Sequence, residues 1–338
     1  MPEPKGKKLS VIIPAHNPEQ TISPVLESVL NQELDSELEV IVVNNASTDH
    51  TVELVKRYPV LLLELKENQG AGSALNYGAE RAGGEILVFV GADLVLLPGS
   101  LKLIEDFFAQ NPEFAGVVGN YTALPGDNNF VSVYHNLFTV YHHQLTEPEI
   151  EWFWGALSAV RREVFLKLGG FNTTYPGAGA EDIELGYRLA EAGYKICYLP
   201  ELRGIHLRRI KLSTMLYNDY HKSVLGLKLY LTRKPRGAYP YGFSNPVNGV
   251  NLFLVFLSWL AFLGLILAGS MSYFLVLLVF WLVNFRFYQF IRQKAGMIYL
   301  LAGLILHWLG FNAIALGVLG GMAGLILGKG LESRSKWI

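Results

Sequence analysis

From residue 250 to 328 the chain is almost continuously apolar, and a soluble domain of ordinary size has no room to bury three such stretches in succession. "VNLFLVFLSWLAFLGLILAG" (250–269) and "YFLVLLVFWLVNFRFYQFI" (273–291) approach the ~20 residues that cross a ~30 Å hydrocarbon core. "MIYLLAGLILHWLGFNAIALGVLGGMAGLILG" (297–328) is too long for one upright span. Its start is expected at the membrane interface near His307 and Trp308, with the span proper over 304–328. The loop "GSMS" between the first two spans is neutral, whereas Arg286, Arg292 and Lys294 lie toward the end of the second. That asymmetry predicts a cytoplasmic location for the N-terminal domain and the second loop. The basic tail "GKGLESRSKWI" argues weakly against three spans, so topology beyond the second stays open.

The first 235 or so residues read as a soluble domain, which divides the 338-residue chain into a domain over 1–235 and a membrane region over 236–338. Within the former, "LSVIIP" (9–14), "LEVIVV" (38–43), "VLLLEL" (60–65) and "EILVFV" (85–90) are short and rich in Val, Ile and Leu, as buried strands are. "PEQTISPVLESVLNQ", "STDHTVELVKRY" and "GAGSALNYGAERAGG" carry helical spacing between them. The alternation predicts an α/β fold with a mostly parallel sheet. Ligands of such sheets bind beyond the carboxyl ends of the strands, where "PAHNPE", "NNASTD" and "GAD" follow the first, second and fourth strands.

Charge and cysteine add limits. Net charge is −1, yet Arg203 to Arg236 holds nine Lys or Arg against the single acid Asp219. A basic run just before a membrane span fits anionic lipid, and no nucleic-acid partner is expected. Cys197 is the only cysteine, so there is no intrachain disulfide. The opening "MPEPKGKKLSVIIP" lacks an apolar core of signal-peptide length. The tandem His142-His143 has no third ligand at metal spacing and is expected on the surface.

Four blocks, "SVIIPAHNPEQTI", "VIVVNNASTDHTVELV", "NQGAGSALNYGAERAGGEILVFVGADLVLLPGSL" and "FWGALSAVRREVFLKLGGFN" with "AEDIELGYRLAEAGYKI", occur in order over residues 9–210. Together they resemble inverting family-2 glycosyltransferases with a GT-A (Rossmann-like) fold, and the apolar tail resembles that of membrane-anchored members acting on lipid-linked acceptors. The resemblance implies nucleotide-diphosphate-sugar binding by Pro14, Ala15, His16, Asn17, Asn44, Asn45, Asn68, Gly70, Asn76, Ala92 and Asp93. Asn44 and Asn45 stand where relatives often carry Asp-Asp; an amide both donates and accepts, and the pair also fits a plain turn. Gly70 also fits a strand-to-helix turn.

Relatives carry Asp-x-Asp after the fourth strand, holding a divalent cation (Mn²⁺ or Mg²⁺) on the diphosphate; here the motif is "GAD", leaving Asp93. One carboxylate with phosphate oxygens and water still suits a hard cation, more weakly. His206 in "RGIHLRR" stands where many relatives have a histidine, either as a further ligand or as a strand-terminal residue bonded to backbone. In "GAEDIELGYRL" the resemblance makes Asp182 the general base, with Glu181 beside it either catalytic or a helix cap, and Glu184 structural. Trp154, Gly155 and Ala156 resemble an acceptor-side segment, while Trp152 and Phe153 fit equally well as core aromatics. Processive synthases of the superfamily carry Gln-x-x-Arg-Trp after the acidic helix; residues 190–250 hold none, so single transfer to a polyprenyl phosphate or glycolipid is expected. A catalytically impaired sugar-nucleotide scaffold is the alternative, motivated by Gly91 and the Asn pair and opposed by the intact "AEDIELG".

Overall fold

A computed structural model of the chain describes residues 8–175, 179–233 and 246–327. In chain order the elements are β1 (Leu9–Ala15), α1 (Ile22–Leu30), β2 (Leu38–Asn45), α2 (Thr51–Val55), β3 (Leu61–Leu65), α3 (Ala71–Arg81) and β4 (Ile86–Val90). Then come β5 (Leu94–Leu96), α4 (Ser100–Gln110), β6 (Phe114–Tyr121), α5 (Phe130–His143), β7 (Glu149–Ile150), β8 (Leu157–Arg161), α6 (Arg162–Lys167), α7 (Glu181–Glu191) and β9 (Lys195–His206). Five helices close the chain: α8 (Leu212–Arg233), α9 (Pro246–Ala268), α10 (Ser272–Val283), α11 (Phe285–Ala295) and α12 (Met297–Ile326). The chain forms two compact units. One holds the residues up to Thr122 together with Thr146–Arg208; the other holds Ala123–Leu145 and the helices from Arg209 onward. The division thus falls earlier than residue 235, and α5 joins the C-terminal helices.

In the first unit the strands form one sheet in the order β3-β2-β1-β4-β8-β6-β9-β5, with β7 on β9. The four strands expected from sequence are β1 to β4, mutually parallel and lined by fully buried residues such as Val11, Ile12, Ile41, Val42 and Val88. Beyond β4 the sheet is mixed. β8 runs antiparallel to β4 and to β6, β9 parallel to β6, and β5 antiparallel to β9. The reversal matters for position. Because β8 and β5 run downward, their first residues lie at the same edge as the last residues of β1, β2, β3, β4, β6 and β9. The ligand edge therefore collects the starts of two strands as well as the ends of six.

The second unit packs α5, α8, α11 and α12 around Val133, Leu137, Met215, Phe287, Tyr288, Ile291 and Leu306. His142 and His143, expected on the surface, are buried here (6% and 0% exposed). Loss of hydration pushes the His142 imidazole down to about 4, so it sits neutral against Phe138. α9 has 23 residues and α12 has 30, lengths of about 34 and 45 Å, and both are long and apolar enough to cross a membrane.

The expected span over 273–291 is not one straight helix. It breaks at Asn284 into α10 and α11, inclined at 64°. The Asn284 amide bonds the Phe280 carbonyl and exchanges two hydrogen bonds with Asn251, so it competes for the helix ladder at the bend. The bend also turns Arg286, Arg292 and Lys294, all exposed on α11, off the axis of α10. No break separates the expected interfacial start of the last span from the span proper: α12 runs unbroken from Met297, the turn being made by Gly296 at φ 94. Its glycines do not interrupt it because α8 lies against them; a Cβ on Gly317 would come 2.9 Å from Ser223 Cβ.

α7 is held close to the segment between β7 and β8 by Gly186. A Cβ there would lie within 2.5 Å of the Trp152 backbone. Alanine would gain up to about 1 kcal/mol of helix propensity, whereas displacing packed backbone costs about 1–3 kcal/mol. Gly186→Ala is therefore expected to lower the thermal unfolding midpoint by a few degrees; an unchanged or raised midpoint in a melting curve contradicts this packing.

Candidate active site

The edge begins at β1. His16 Nδ1 lies 2.9 Å from the Asn45 carbonyl, and Asn17, at φ 56, is fixed by bonds with the Ser47 hydroxyl and the Thr48 amide. Pro14 and Ala15 pair with Val43 and Asn44 of β2. Asn44 is buried; its oxygen accepts from the Ser47 amide and its nitrogen donates to Glu64 at 3.4 Å. Asn45 is also buried, and it faces the β3–α3 loop. Its amide donates to Asn68 and to the Gly70 carbonyl and accepts from the Gln69 amide. Asn45 and Asn68 therefore shape the loop that starts α3, and Gly70 supplies the φ of 84 that this start requires. Asn76 stands apart from the edge: its amide closes a two-way clamp on the Phe171 backbone. The resemblance groups it with the nucleotide residues; in the structure its amide holds the turn after α6.

Beyond β4, Gly91 donates its amide to the Ala156 carbonyl at 2.9 Å, and the Ala92 carbonyl accepts from the Thr21 hydroxyl. Asp93 lies between β4 and β5. Across from it, β5 pairs with β9 so that Leu94 faces His206, and the Leu207 amide bonds the Asp93 carbonyl. That ladder sets the His206 imidazole Nε2 3.5 Å from the Asp93 carboxylate. The pair is open on one side only, with Asp93 30% exposed and His206 6%. Burial works to raise the Asp93 pKa, but the hydrogen bond and charge of His206, with Arg208, outweigh it and leave the carboxyl below its usual value. A Cβ on Gly91 would come 3.0 Å from the Asp93 carboxylate, so a second acid there would aim into the same spot.

Tyr121, which the sequence did not single out, completes this corner. Its ring stacks on His206 at 4.5 Å and 10°, and Trp154 packs edge-on against it at 4.7 Å. The apolar run "AGVV" before Asn120-Tyr121 is the one signal that could have marked a strand ending here.

The second acidic group lies on the other side of the segment Trp154–Ala156. Gly155 donates its amide to Asp182 at 3.2 Å, while the Ile183 amide caps the other Asp182 oxygen. Glu181 is buried, accepts from the Gly179 and Ala180 amides, and touches the start of α3 at Gly72. Glu184 has the structural role expected of it: it pairs with Arg188, which also donates to the Leu168 and Gly170 carbonyls. Trp152 and Phe153 are core aromatics, 2% and 0% exposed.

As a cation site, the Asp93–His206 pair offers one carboxylate oxygen and one imidazole nitrogen close enough to share a coordination shell. Among the described residues no group of three His, Cys, Asp or Glu converges. Such a donor set fits a divalent cation whose remaining positions are taken by phosphate oxygens and water.

Comparison with known proteins shows what the chain resembles. Residues 10–169 match the family model for glycosyl transferase family 2, and residues 137–217 match one described as the N-terminal domain of galactosyltransferase. The matched region is that of a glycosyltransferase domain. The chain is 28% identical over 209 residues to the probable glycosyltransferase YdaM of Bacillus subtilis, covering 57% of this chain and 49% of that protein. To the poly-beta-1,6-N-acetyl-D-glucosamine synthase of Staphylococcus epidermidis it is 27% identical over 206 residues, covering 57% and 48%. The chain thus spans about half the length of these relatives. The mannosyltransferase PcManGT from Pyrobaculum calidifontis, solved with GDP-Man and Mn²⁺, matches with a TM-score of 0.62 over 90% of this chain and 88% of that one, at 23% identity. At that identity the likeness establishes the glycosyltransferase GT-A fold.

The Glu181 carboxyl generates a pH expectation for this enzyme. Burial first, then the charge of Asp182, pushes its pKa up from 4.5 to about 7. Protonated Glu181 is thus favoured in the fold: its contribution is complete below about pH 4.5 and is lost as pH rises through about 7. Stability should fall by on the order of 1–3 kcal/mol across that window. Glu181→Gln should flatten the fall in denaturant melts at pH 5 and 8, and an unaltered pH slope would contradict this assignment.

Proposed function

We propose that this glycosyltransferase is an inverting enzyme that moves a sugar from a nucleoside-diphosphate donor to a lipid-linked acceptor at the cytoplasmic face of a membrane. The observation that carries the reading is the segment Trp154–Ala156, which bonds Gly91, two residues before Asp93, through the Ala156 carbonyl and Asp182 through the Gly155 amide. In this reading the nucleoside lies along Pro14–Asn17 and Asn44, with the diphosphate toward Asp93 and His206. A divalent cation held by that pair supplies charge neutralisation of the diphosphate. Asp182 takes the proton of the acceptor hydroxyl as its oxygen bonds the anomeric carbon and the bond to the diphosphate breaks on the opposite face. Trp154 and Gly155 flank the acceptor, and Gly155 orients the base. Glu181, buried behind Asp182, keeps the start of α7 in place.

The lipid acceptor is supported by the apolar helices α9 and α12 and by exposed Arg208, Arg209 and Lys211 close before α8. Each exposed cation contributes about 1 kcal/mol of attraction to an anionic membrane surface. Lys234 and Arg236, which extend the basic run, lie outside the described residues. Absence of Gln-x-x-Arg-Trp over 190–250 favours single transfer over polymerisation.

Asp182→Asn keeps shape while removing basicity. The variant should fold, bind donor as wild type does, and lose at least ~100-fold in turnover on a hydroxyl acceptor. A phosphate acceptor is ionised already, so near-normal turnover of Asp182→Asn would reject the base role and identify a polyprenyl phosphate as acceptor. Loss of donor binding would make Asp182 a donor-site residue instead.

A further inference from the structure

At the end of the sheet away from Asp93, two polar side chains meet on adjacent strands. Asn44 and Glu64 are direct partners in the β2–β3 ladder, so their side chains project on the same face of the sheet. The amide orientation of Asn44 is fixed by its neighbours: the Ser47 N–H requires its oxygen, which turns the nitrogen to Glu64. Asn44 is buried and Glu64 exposed, so one amide hydrogen of Asn44 and lone pairs on both carboxylate oxygens of Glu64 remain for a ligand. In the sheet order β3-β2-β1-β4, this pair lies two to three strand spacings from β4, about 10–14 Å. A nucleoside whose diphosphate is at Asp93 has to bring its base to this end of the edge.

We infer that Asn44 and Glu64 together read the nucleobase of the donor, and that the base they take is guanine. The inference rests on the donor-site reading above. Guanine presents in sequence an acceptor, O6, and two donors, N1–H and the N2 amino group. The Asn44 amide hydrogen meets the acceptor and the Glu64 carboxylate accepts from both donors, a charge-assisted bidentate contact. Uracil and thymine present an acceptor on each side of N3–H, so one of their oxygens would face the carboxylate with no proton between. Cytosine and adenine offer a single amino group beside a ring-nitrogen acceptor, which repels the second carboxylate oxygen. The acceptor for the base edge thus comes from the third strand, and the amide at Asn44 orients it.

Titration calorimetry on the full chain in detergent, with Mn²⁺ and either GDP or UDP, tests this. Wild type should bind GDP at least about tenfold more tightly than UDP. Glu64→Gln keeps an oxygen for the Asn44 amide but presents a donor to the guanine N1 or N2 edge. It should weaken GDP binding by about ten- to hundredfold and leave UDP unchanged. Equal or tighter UDP binding in wild type would overturn guanine selection while leaving the glycosyltransferase site intact. Equal weakening of both nucleotides in Glu64→Gln would overturn the base-reading role. If neither nucleotide binds wild type, this inference falls together with the donor-site reading.

Discussion

Gly91 donates its amide to the Ala156 carbonyl, and the next residue back, Gly155, donates its own to Asp182. Both bonds follow from one reversal in the sheet. β8 runs against β4, so the three residues that lead into it return to the edge where β4 has just ended. Without the reversal, the metal-side carboxylate and the helix-borne one would belong to separate parts of the surface. With it, each is tied to the same short stretch of backbone. The other contacts of the site sharpen this arrangement: the β5–β9 ladder brings His206 to Asp93, and Gly186 lets α7 approach close enough for Asp182 to reach Gly155.

The parallel half of the fold was legible because β1 to β4 are short runs of Val, Ile and Leu separated by turn residues, and β1, β2 and β4 are buried. Asp93 and Asp182 stand out by their motifs, and their roles belong to the proposed function. What could not be read depends on pairing between distant segments. Tyr121 matters because Gly204, more than eighty residues later, lies beside it in the ladder and brings His206 under its ring. Glu64 matters through its register with Asn44. Asn76 has the sequence position of a ligand residue but is held by Phe171, a partner invisible to local pattern. His142 and His143 read as surface residues because the side chains that bury this end of α5, Phe287 among them, come far later. The break at Asn284 was hidden for a different reason: hydropathy averages over the one residue whose amide competes with the helix.

If the apolar helices of the second unit cross a membrane, a polar group there must find its partner within the protein. The buried side chains of this unit largely do so in pairs. Asn251 and Asn284 exchange two hydrogen bonds, Trp259 donates to Asn312, and Tyr288 bonds His307 at 2.8 Å. The pairs link α9 to α10 and α12, and α11 to α12. They fix the relative rotation of helices that are otherwise uniformly apolar and would pack in several registers with similar energy. α8 is attached by shape instead, against the small residues of α12.

The central claim is that the single carboxylate Asp93, with His206, is sufficient to hold a divalent cation against the donor diphosphate. The most direct test is the affinity of the purified full chain for a nucleoside diphosphate, measured in Mn²⁺ and in EDTA, for wild type and Asp93→Ala. The account requires binding that weakens by at least about tenfold in EDTA and a variant that no longer responds to Mn²⁺, as one lost metal ligand would do. Wild-type binding as tight in EDTA as in Mn²⁺, or an Asp93→Ala variant that keeps the full metal response, would contradict it.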